Sequence, residues 1–272
     1  MTASPRRFDL HMHSRHSDGT DSVPELVEHV RRQGLAGFSI TDHDTTSALA
    51  EAVPLARAAG LEFTPGIELS LSDGGKDIHL LLYRFDPLYP ELVSRLVHFR
   101  AVRRERYYAM AAVLFRLGIE LELPPLGEGE GFSLGRPHLA ALLVAQRKVG
   151  SVREAFERYL AVGKPAYVPK AALSPEEGIA LGREAGGVTV LAHPASYPFE
   201  PDLESLVDIG LQGVETSYPS WDAATTSLWR SRARKYNLVE TGGSDYHGSH
   251  RGQVRIGDAG IGEAEWSRLL TT

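Results

Sequence analysis

Short apolar runs alternate with amphipathic stretches at both ends of this chain, and the alternation sets the first expectation of a fold. Phe8-Asp-Leu-His-Met12 reads as a short buried strand running into the polar turn Ser14-Arg-His-Ser-Asp-Gly19. Ser22-Val-Pro-Glu25 has the residues of a capping box, with Ser22 as N-cap, and opens a helix that stops near Gly34. Leu35–Ile40 is the next strand, a helix from about Thr46 to Ala59 follows, and Leu61–Ile67 leads to Glu68. Strand, helix, strand, helix, strand in such short units predicts a parallel sheet closed as a barrel. Lys76–Tyr83 is a further apolar strand.

The rhythm breaks near Pro87. Residues 90–117 form a long helical pattern rich in arginine (Arg100, Arg103, Arg104, Arg106), which reads as a solvated helix face. A Gly/Glu/Pro loop from Pro124 to Gly131 and two shorter helical stretches near 136–148 and 151–161 follow. Residues 89–164 are therefore expected to be a helical insertion or cap in a barrel built from 1–88 and 165–272. The barrel resumes with a strand at Pro165-Ala-Tyr-Val-Pro169, a helix opened by Ser174-Pro-Glu-Glu177, and the strand Gly187–Leu191. Gly213–Ser217, a helix around 221–235 and Leu238–Thr241 complete the pattern.

Composition narrows the chemistry. The 272 residues suit one large α/β domain or a barrel with an insertion. They contain no cysteine, which removes disulfides, thiolate metal sites and cysteine nucleophiles together. A metal site must then use imidazoles and carboxylates. The formal charge of −6 argues against a broad nucleic-acid-binding face but leaves a small phosphorylated substrate open. The chain lacks the roughly 18 consecutive apolar residues of a membrane span and opens without a secretory segment, so a cytoplasmic location is expected, with no membrane or obligate protein partner.

His11 and His13 lie two apart on a strand and so point to one side, with Asp18 five residues on. That set can converge on a divalent metal; a core histidine with a turn-capping Asp is the plainer alternative. The other strong candidates stand at or just beyond the carboxyl ends of predicted strands: His43, Glu68, His193, Asp245 and His247. In a parallel barrel those ends share one face, where active sites are built. His79 lies mid-strand and is the weakest member. Asp9 and Asp42 read as orienters of ligand histidines. Asp44 and Asp73 read as turn residues, while His16, His29, His98 and His250 read as solvated or capping groups and Arg251 as an exposed loop residue. Tyr218 and Trp221 either stack a base or cover the barrel mouth.

The motifs Asp9-Leu-His-Met-His-Ser, Thr41-Asp-His-Asp, Pro65-Gly-Ile-Glu68, Ala192-His-Pro and Gly243-Ser-Asp-Tyr-His-Gly248 resemble those of the PHP (polymerase and histidinol phosphatase) family of metal-dependent phosphoesterases. They occur in the expected order and span nearly the whole chain outside the insertion. The resemblance implies an α/β fold, a distorted (β/α)7 TIM-like barrel, holding two or three divalent ions (Mn, Zn or Fe). It implies one ion on His11, His13, Glu68 and Asp245, a second on Asp18, His43 and His247, and a third on His79 and His193 with Glu68 bridging. Asp77-Ile-His-Leu-Leu-Leu-Tyr83 and Gly135-Arg-Pro-His-Leu-Ala140 look like the stand-alone bacterial branch, whose members act on nucleotide phosphates, including the 3′-phosphate of 3′,5′-nucleoside bisphosphates, and on short RNA from the 5′ end. Ser217 departs from the second aromatic that many relatives carry before Tyr218.

The implied chemistry is phosphomonoester hydrolysis by a metal-bridging hydroxide without a covalent intermediate. Arg15 and Arg136 are the candidate cationic partners for the phosphoryl oxygens, and His138 the candidate phosphate ligand or leaving-group acid. Three alternatives stay open. An amidohydrolase-type barrel also opens with His-x-His, a histidinol phosphatase shares the metals without the helical insertion, and a non-catalytic binding module would lack ligands that are complete here. The insertion is expected to cap the barrel mouth and select small nucleotides.

Overall fold

In the computed structural model, residues 5–123, 132–169 and 172–272 are described, with 250 and 251 described for their backbone only. The loop expected over Pro124–Gly131 and the roles expected of the His250 and Arg251 side chains lie outside the described residues.

The first third of the chain follows the expected rhythm. β1 (Arg7–Asp9), α1 (Val23–Arg32), β2 (Gly37–Phe38), α2 (Leu49–Ala58) and β3 (Glu62–Phe63) place three short parallel strands side by side. The Ser22 cap works as its residues suggest: its main-chain N–H donates to the Glu25 carboxylate at 2.7 Å. The chain then departs from expectation. Leu61–Ile67 is not one strand, because the backbone leaves the first sheet after Phe63 and starts β4 (Gly66–Asp73). Only glycine fits at that crossing, since a Cβ on Gly66 would stand 2.1 Å from Ser39 Oγ. β4 pairs antiparallel with β5 (Lys76–Tyr83) across Gly74-Gly75, both at positive φ, as a two-residue hairpin turn of right-handed twist requires. Glu68 therefore sits within a strand, not at the end of one.

Three helices follow: α3 (Pro90–Arg116), α4 (Arg136–Ala145) and α5 (Val152–Ala155), the last continuing as a π turn over Phe156–Leu160. No strand forms over Pro165–Pro169. The prolines at its two ends lack the N–H that a ladder needs. The rest of the chain is α6 (Pro175–Glu184), β6 (Val188–Leu191), α7 (Leu203–Asp208), β7 (Gly213–Ser217), α8 (Ala223–Lys235), β8 (Val239–Gly242), β9 (Ile261–Gly262) and α9 (Glu263–Thr271). Ser174 and Glu177 form a complete capping box at α6, with main-chain to side-chain bonds of 2.9 and 3.2 Å.

The strands form two mixed sheets, β3-β2-β1-β9 and β4-β5-β6-β7-β8, instead of one closed parallel barrel. β9 runs antiparallel to β1, and β5 antiparallel to both β4 and β6, while β6, β7 and β8 are parallel. Two seams join the sheets. At one, Leu10 N–H donates to Gly242 O (3.2 Å) and Asp245 N–H to His11 O (2.7 Å); at the other, His43 bridges Glu68. Each seam runs through residues expected to hold metal.

Phe8 of β1 and Leu10 just after it pack with Tyr83, Val190, Val239 and Ile261 between the sheets, and Trp266 of α9 closes that cluster. The helical segment has its own apolar core, formed by Tyr107, Leu114, Leu139, Leu143 and Leu160 among others. α3 does not belong to it alone: Leu92, Leu96 and Phe99 in its first half pack on the core of β4–β8. The β9–α9 end escapes sequence reading because a two-residue strand has no periodicity. Trp266 stacks on Phe8 with ring centroids 4.5 Å apart, and both are nearly fully buried. Trp266→Ala is expected to destabilise the fold by about 3–5 kcal/mol, as for other buried aromatic truncations, measured by urea unfolding.

Candidate metal centre

His11 and His13 leave β1 on extended backbone and are fully buried, as their spacing implies. His11 Nε2 lies 3.2 Å from Glu68 Oε2 and 3.3 Å from Asp245 Oδ1. His13 Nε2 lies 3.2 Å from each of the same two atoms. These four residues form one group. A second comprises His13, Asp18, His43 and His247, where His247 Nε2 is 3.3 Å and His13 Nδ1 3.7 Å from Asp18 Oδ1. A third comprises His43, Glu68 and His79, with imidazole–carboxylate distances of 3.2 and 2.9 Å. Within each group the donor atoms all lie within 4.8 Å of one another. His193 joins at the edge, its Nε2 3.2 Å from Glu68 Oε1 and 3.3 Å from His79 Nδ1. The fold thus gathers all nine candidate ligands, although the third group takes His43 where His193 was expected and leaves His193 beside it.

The donor set fits divalent cations. His11 Nε2, both nitrogens of His13 and His43 Nδ1 are buried without a hydrogen-bond partner among the described residues, a costly state unless another electrophile takes the lone pairs. Imidazole nitrogens and carboxylate oxygens at this density suit borderline ions and do not select among them. The clusters are able to bind metal. The electrostatics agree. Burial opposes ionisation of Glu68, yet His43, His79 and His11 hold it well below the usual carboxylate range. Burial likewise opposes ionisation of Asp18, which His247 and His43 hold well down. Burial disfavours the His13 imidazolium, but the close carboxylates of Asp245, Glu68 and Asp18 push its pKa up to about 9. His43 goes the other way, since burial and the imidazoles of His13 and His79 outweigh its acids.

Backbone in the left-handed region recurs at this site: Asp44 (φ 51°), His193 (φ 29°) and Asp245 (φ 51°). Asp9 and Asp42 do not orient imidazoles as expected. Asp9 accepts the main-chain N–H groups of His11, Ser244 and Gly257 at 3.3, 2.9 and 2.8 Å, and burial raises its pKa to about 6 against the pull of those donors. Asp42 accepts from Ser14 N–H at 2.8 Å and from the hydroxyls of Ser14 and Ser17 at 2.6 Å, shaping the loop that carries Asp18. Tyr218 Oη donates to Asp245 Oδ2 at 2.8 Å, so its hydroxyl holds one of the candidate ligands. His98 is exposed, and His29 pairs with Asp21 at 3.3 Å, in keeping with peripheral roles.

Sequence reading missed Glu215. It lies on β7, fully buried, with both carboxylate oxygens 3.1 and 3.2 Å from His11 Nδ1 and with Oε2 accepting the His193 main-chain N–H at 2.6 Å. The available signal was weak: one acid among small and polar residues on the predicted strand Gly213-Val-Glu-Thr-Ser217.

A cavity of about 380 Å³ opens beside Asp18, His43, His79 and His247 and is lined elsewhere by Arg103, Arg106 and Arg136. Here the expected solvated arginine face is corrected. Arg104 is exposed, but the helix turn carries Arg103 and Arg106 inward. Arg103 donates to Asp44 Oδ2 (2.7 Å), Ser70 Oγ (2.7 Å) and Leu134 O (3.1 Å). Asp44 is therefore more than a turn residue, because it anchors α3 beside His43. Arg106 is buried, donates through Nε to Val168 O at 2.7 Å, and leaves Nη2 with no partner among the described residues. Burial, with Arg136 adding to it, lowers its pKa to about 10. Arg136 lines the cavity as expected, its guanidinium 5.6 Å from the Tyr167 ring centre and 5.8 Å from that of Phe156.

Arg15 and His138 are placed otherwise. Arg15 is exposed, donates to Thr20 O at 2.5 Å and faces Glu25 at 3.3 Å, away from the imidazoles. Both nitrogens of His138 are committed, Nδ1 accepting from Gly135 N–H (2.8 Å) and Nε2 meeting Ser17 O (2.7 Å). That ring braces the start of α4 against the Asp18 loop.

Residues 9–164 match the PHP domain family model. The chain belongs to the PHP family. It is 32% identical over 264 residues to a 3′,5′-nucleoside bisphosphate phosphatase of Chromobacterium violaceum, covering 92% of this chain and 90% of the relative. It is 31% identical over 250 residues to a 5′-3′ exoribonuclease of Haemophilus influenzae, covering 89% of this chain and 90% of that one. A solved structure from Bifidobacterium adolescentis, proposed to be a metal-dependent phosphoesterase, superposes with a TM-score of 0.88 at 29% identity, covering 98% of this chain and 97% of its own. The chain is a metal-dependent phosphoesterase of this family. Among the described residues no helix is long and apolar enough to cross a membrane.

A pH dependence follows from the cage. His13 gains its carboxylate neighbours on folding, so in metal-free protein its stabilisation is complete below pH 6.5 and fades as pH rises through about 9. Chelated protein is expected to melt at lower temperature at pH 9 than at 6.5. Added Mn²⁺ should restore most at pH 9, where fewer protons must leave the ligands. Scanning calorimetry with and without the ion checks both.

Proposed function

We propose that this protein hydrolyses phosphate monoesters of nucleotides, with the 3′-phosphate of 3′,5′-nucleoside bisphosphates as its preferred target. The observation that carries the reading is that the imidazole–carboxylate cage and three guanidinium groups line one cavity. His11, His13, Glu68 and Asp245 would hold one ion, and His13, Asp18, His43 and His247 a second; His79 and His193 flank Glu68 for a third. Ions held there supply an activated water and charge neutralisation for the phosphoryl oxygens.

The chain's own residues do the rest. Asp245, held by Tyr218, and Glu68, held between its imidazoles, keep the donor set in place. A second phosphate would meet the guanidinium groups of Arg106 and Arg136 on the cavity wall. Pro137, Val152 and Phe156 offer an apolar surface of the same cavity to the nucleoside. Arg103 is held by Asp44 and Ser70, so it serves chiefly to fix the wall. A second reading, 5′-to-3′ release of nucleotides from short oligoribonucleotides, is supported by the similarity to the Haemophilus influenzae enzyme. There the arginines would take the phosphate at the 5′ end.

Phosphate release from a 3′,5′-nucleoside bisphosphate, with none from a nucleoside monophosphate and no cleavage of a 5′-phosphorylated dinucleotide, is the expected pattern. Dinucleotide cleavage exceeding phosphate release would favour the second reading. Arg136→Ala is expected to lower kcat/KM for the bisphosphate about 10- to 100-fold, the equivalent of losing a charged hydrogen bond, by steady-state assay. Unchanged turnover and affinity in that variant would remove Arg136 from the site. Chelation should abolish activity and Mn²⁺ restore it.

A further inference from the structure

We infer that Glu215 is a positioning residue that sets which nitrogen of His11 faces the cage and ties His11 to His193. A neutral imidazole carries one N–H, and the nitrogen facing an acceptor-only group is the one that keeps it. Both oxygens of the fully buried Glu215 face His11 Nδ1, at 3.1 and 3.2 Å. The proton is therefore held on Nδ1, and the lone pair of Nε2 points at the gap it shares with Glu68 and Asp245. With the opposite tautomer, an N–H would point into that gap and His11 could not ligate.

The same carboxylate has a second task. Its Oε2 accepts the main-chain N–H of His193 at 2.6 Å, at a residue held in the left-handed region. His193 in turn sets its Nε2 3.2 Å from Glu68. One acid on β7 thus fixes a group from the end of β1 and a group from the end of β6. It does so from outside the three donor clusters, so it shapes the cage without belonging to it. Carboxylates that hold ligating imidazoles in this way typically contribute 10- to 100-fold in metal affinity.

The inference rests on the cage being a metal site, and the experiment separates the two. Zn²⁺-loaded wild type and Glu215→Gln are compared by long-range ¹H–¹⁵N correlation of the imidazoles and by Zn²⁺ affinity against a competing chelator. Wild type is expected to show His11 protonated at Nδ1 and metal-bound through Nε2. The amide puts an N–H donor 3.1 to 3.2 Å from Nδ1, so the variant should show the Nε2–H tautomer or a mixture. Its Zn²⁺ affinity should fall 10- to 100-fold while its chelated form keeps a cooperative melt. Wild type that binds no Zn²⁺ would overturn the cage reading and this inference with it. Wild type that binds Zn²⁺ through His11 Nδ1, or a variant with unchanged tautomer and affinity, would overturn the role of Glu215 alone. Should the variant fail to fold, the wild-type tautomer decides: Nε2 ligation upholds the inference and Nδ1 ligation ends it.

Discussion

Five imidazoles approach one buried carboxylate. His11, His13 and His43 come within 3.2 Å of Glu68 Oε2, and His79 and His193 within 2.9 and 3.2 Å of Oε1. Such crowding of ionisable groups away from water is unfavourable unless charge is shared, by protons in the bare protein or by cations in the loaded one. Several departures from regular structure lie beside that convergence. The backbone leaves one sheet for another at Gly66 so that Glu68 can point between the sheets. His193 and Asp245 take left-handed backbone next to it.

The two-sheet architecture explains why the groups meet. A continuous barrel would spread strand ends around a ring. Here two sheets touch along seams, and the seams run through His11–Asp245 and His43–Glu68. Residues far apart in sequence are thereby joined by main-chain hydrogen bonds, which position them more rigidly than side-chain packing alone. Asp9 and Asp42 add to this by binding main-chain N–H groups and so holding the loops, while Glu215 acts on an imidazole directly.

The helical segment adds a cationic wall to the cavity beside the cage. α3 packs on the main core through Leu92, Leu96 and Phe99 and reaches the cavity with Arg103 and Arg106. The Arg103–Asp44 pair, at 2.5 Å and largely buried, binds that wall to the residue beside His43. The cationic wall and the cage are therefore held against each other across one cavity.

The sequence by itself pointed to the candidate ligands, because a chain without cysteine must use imidazoles and carboxylates, because His-x-His on a strand must share a face, and because the family resemblance implied the full set. It also determined the capped helices, whose signals are local: Ser22 with Glu25, and Ser174 with Glu177. Tertiary structure decided the rest. Whether Leu61–Ile67 was one strand or a crossing between sheets depended on which partner strands each part meets, β2 for Glu62–Phe63 and β5 from Gly66 on, which no local pattern contains. Arg103 and Arg106 looked solvated because a helix in isolation has no inner face until Val168, Asp44 and Ser70 arrive to receive it. Arg15 and His138 looked catalytic by position and were claimed instead by Glu25, Gly135 and Ser17. Glu215 carried no motif, since a buried acid takes its role from the group it meets, and here that group lies 204 positions away in sequence.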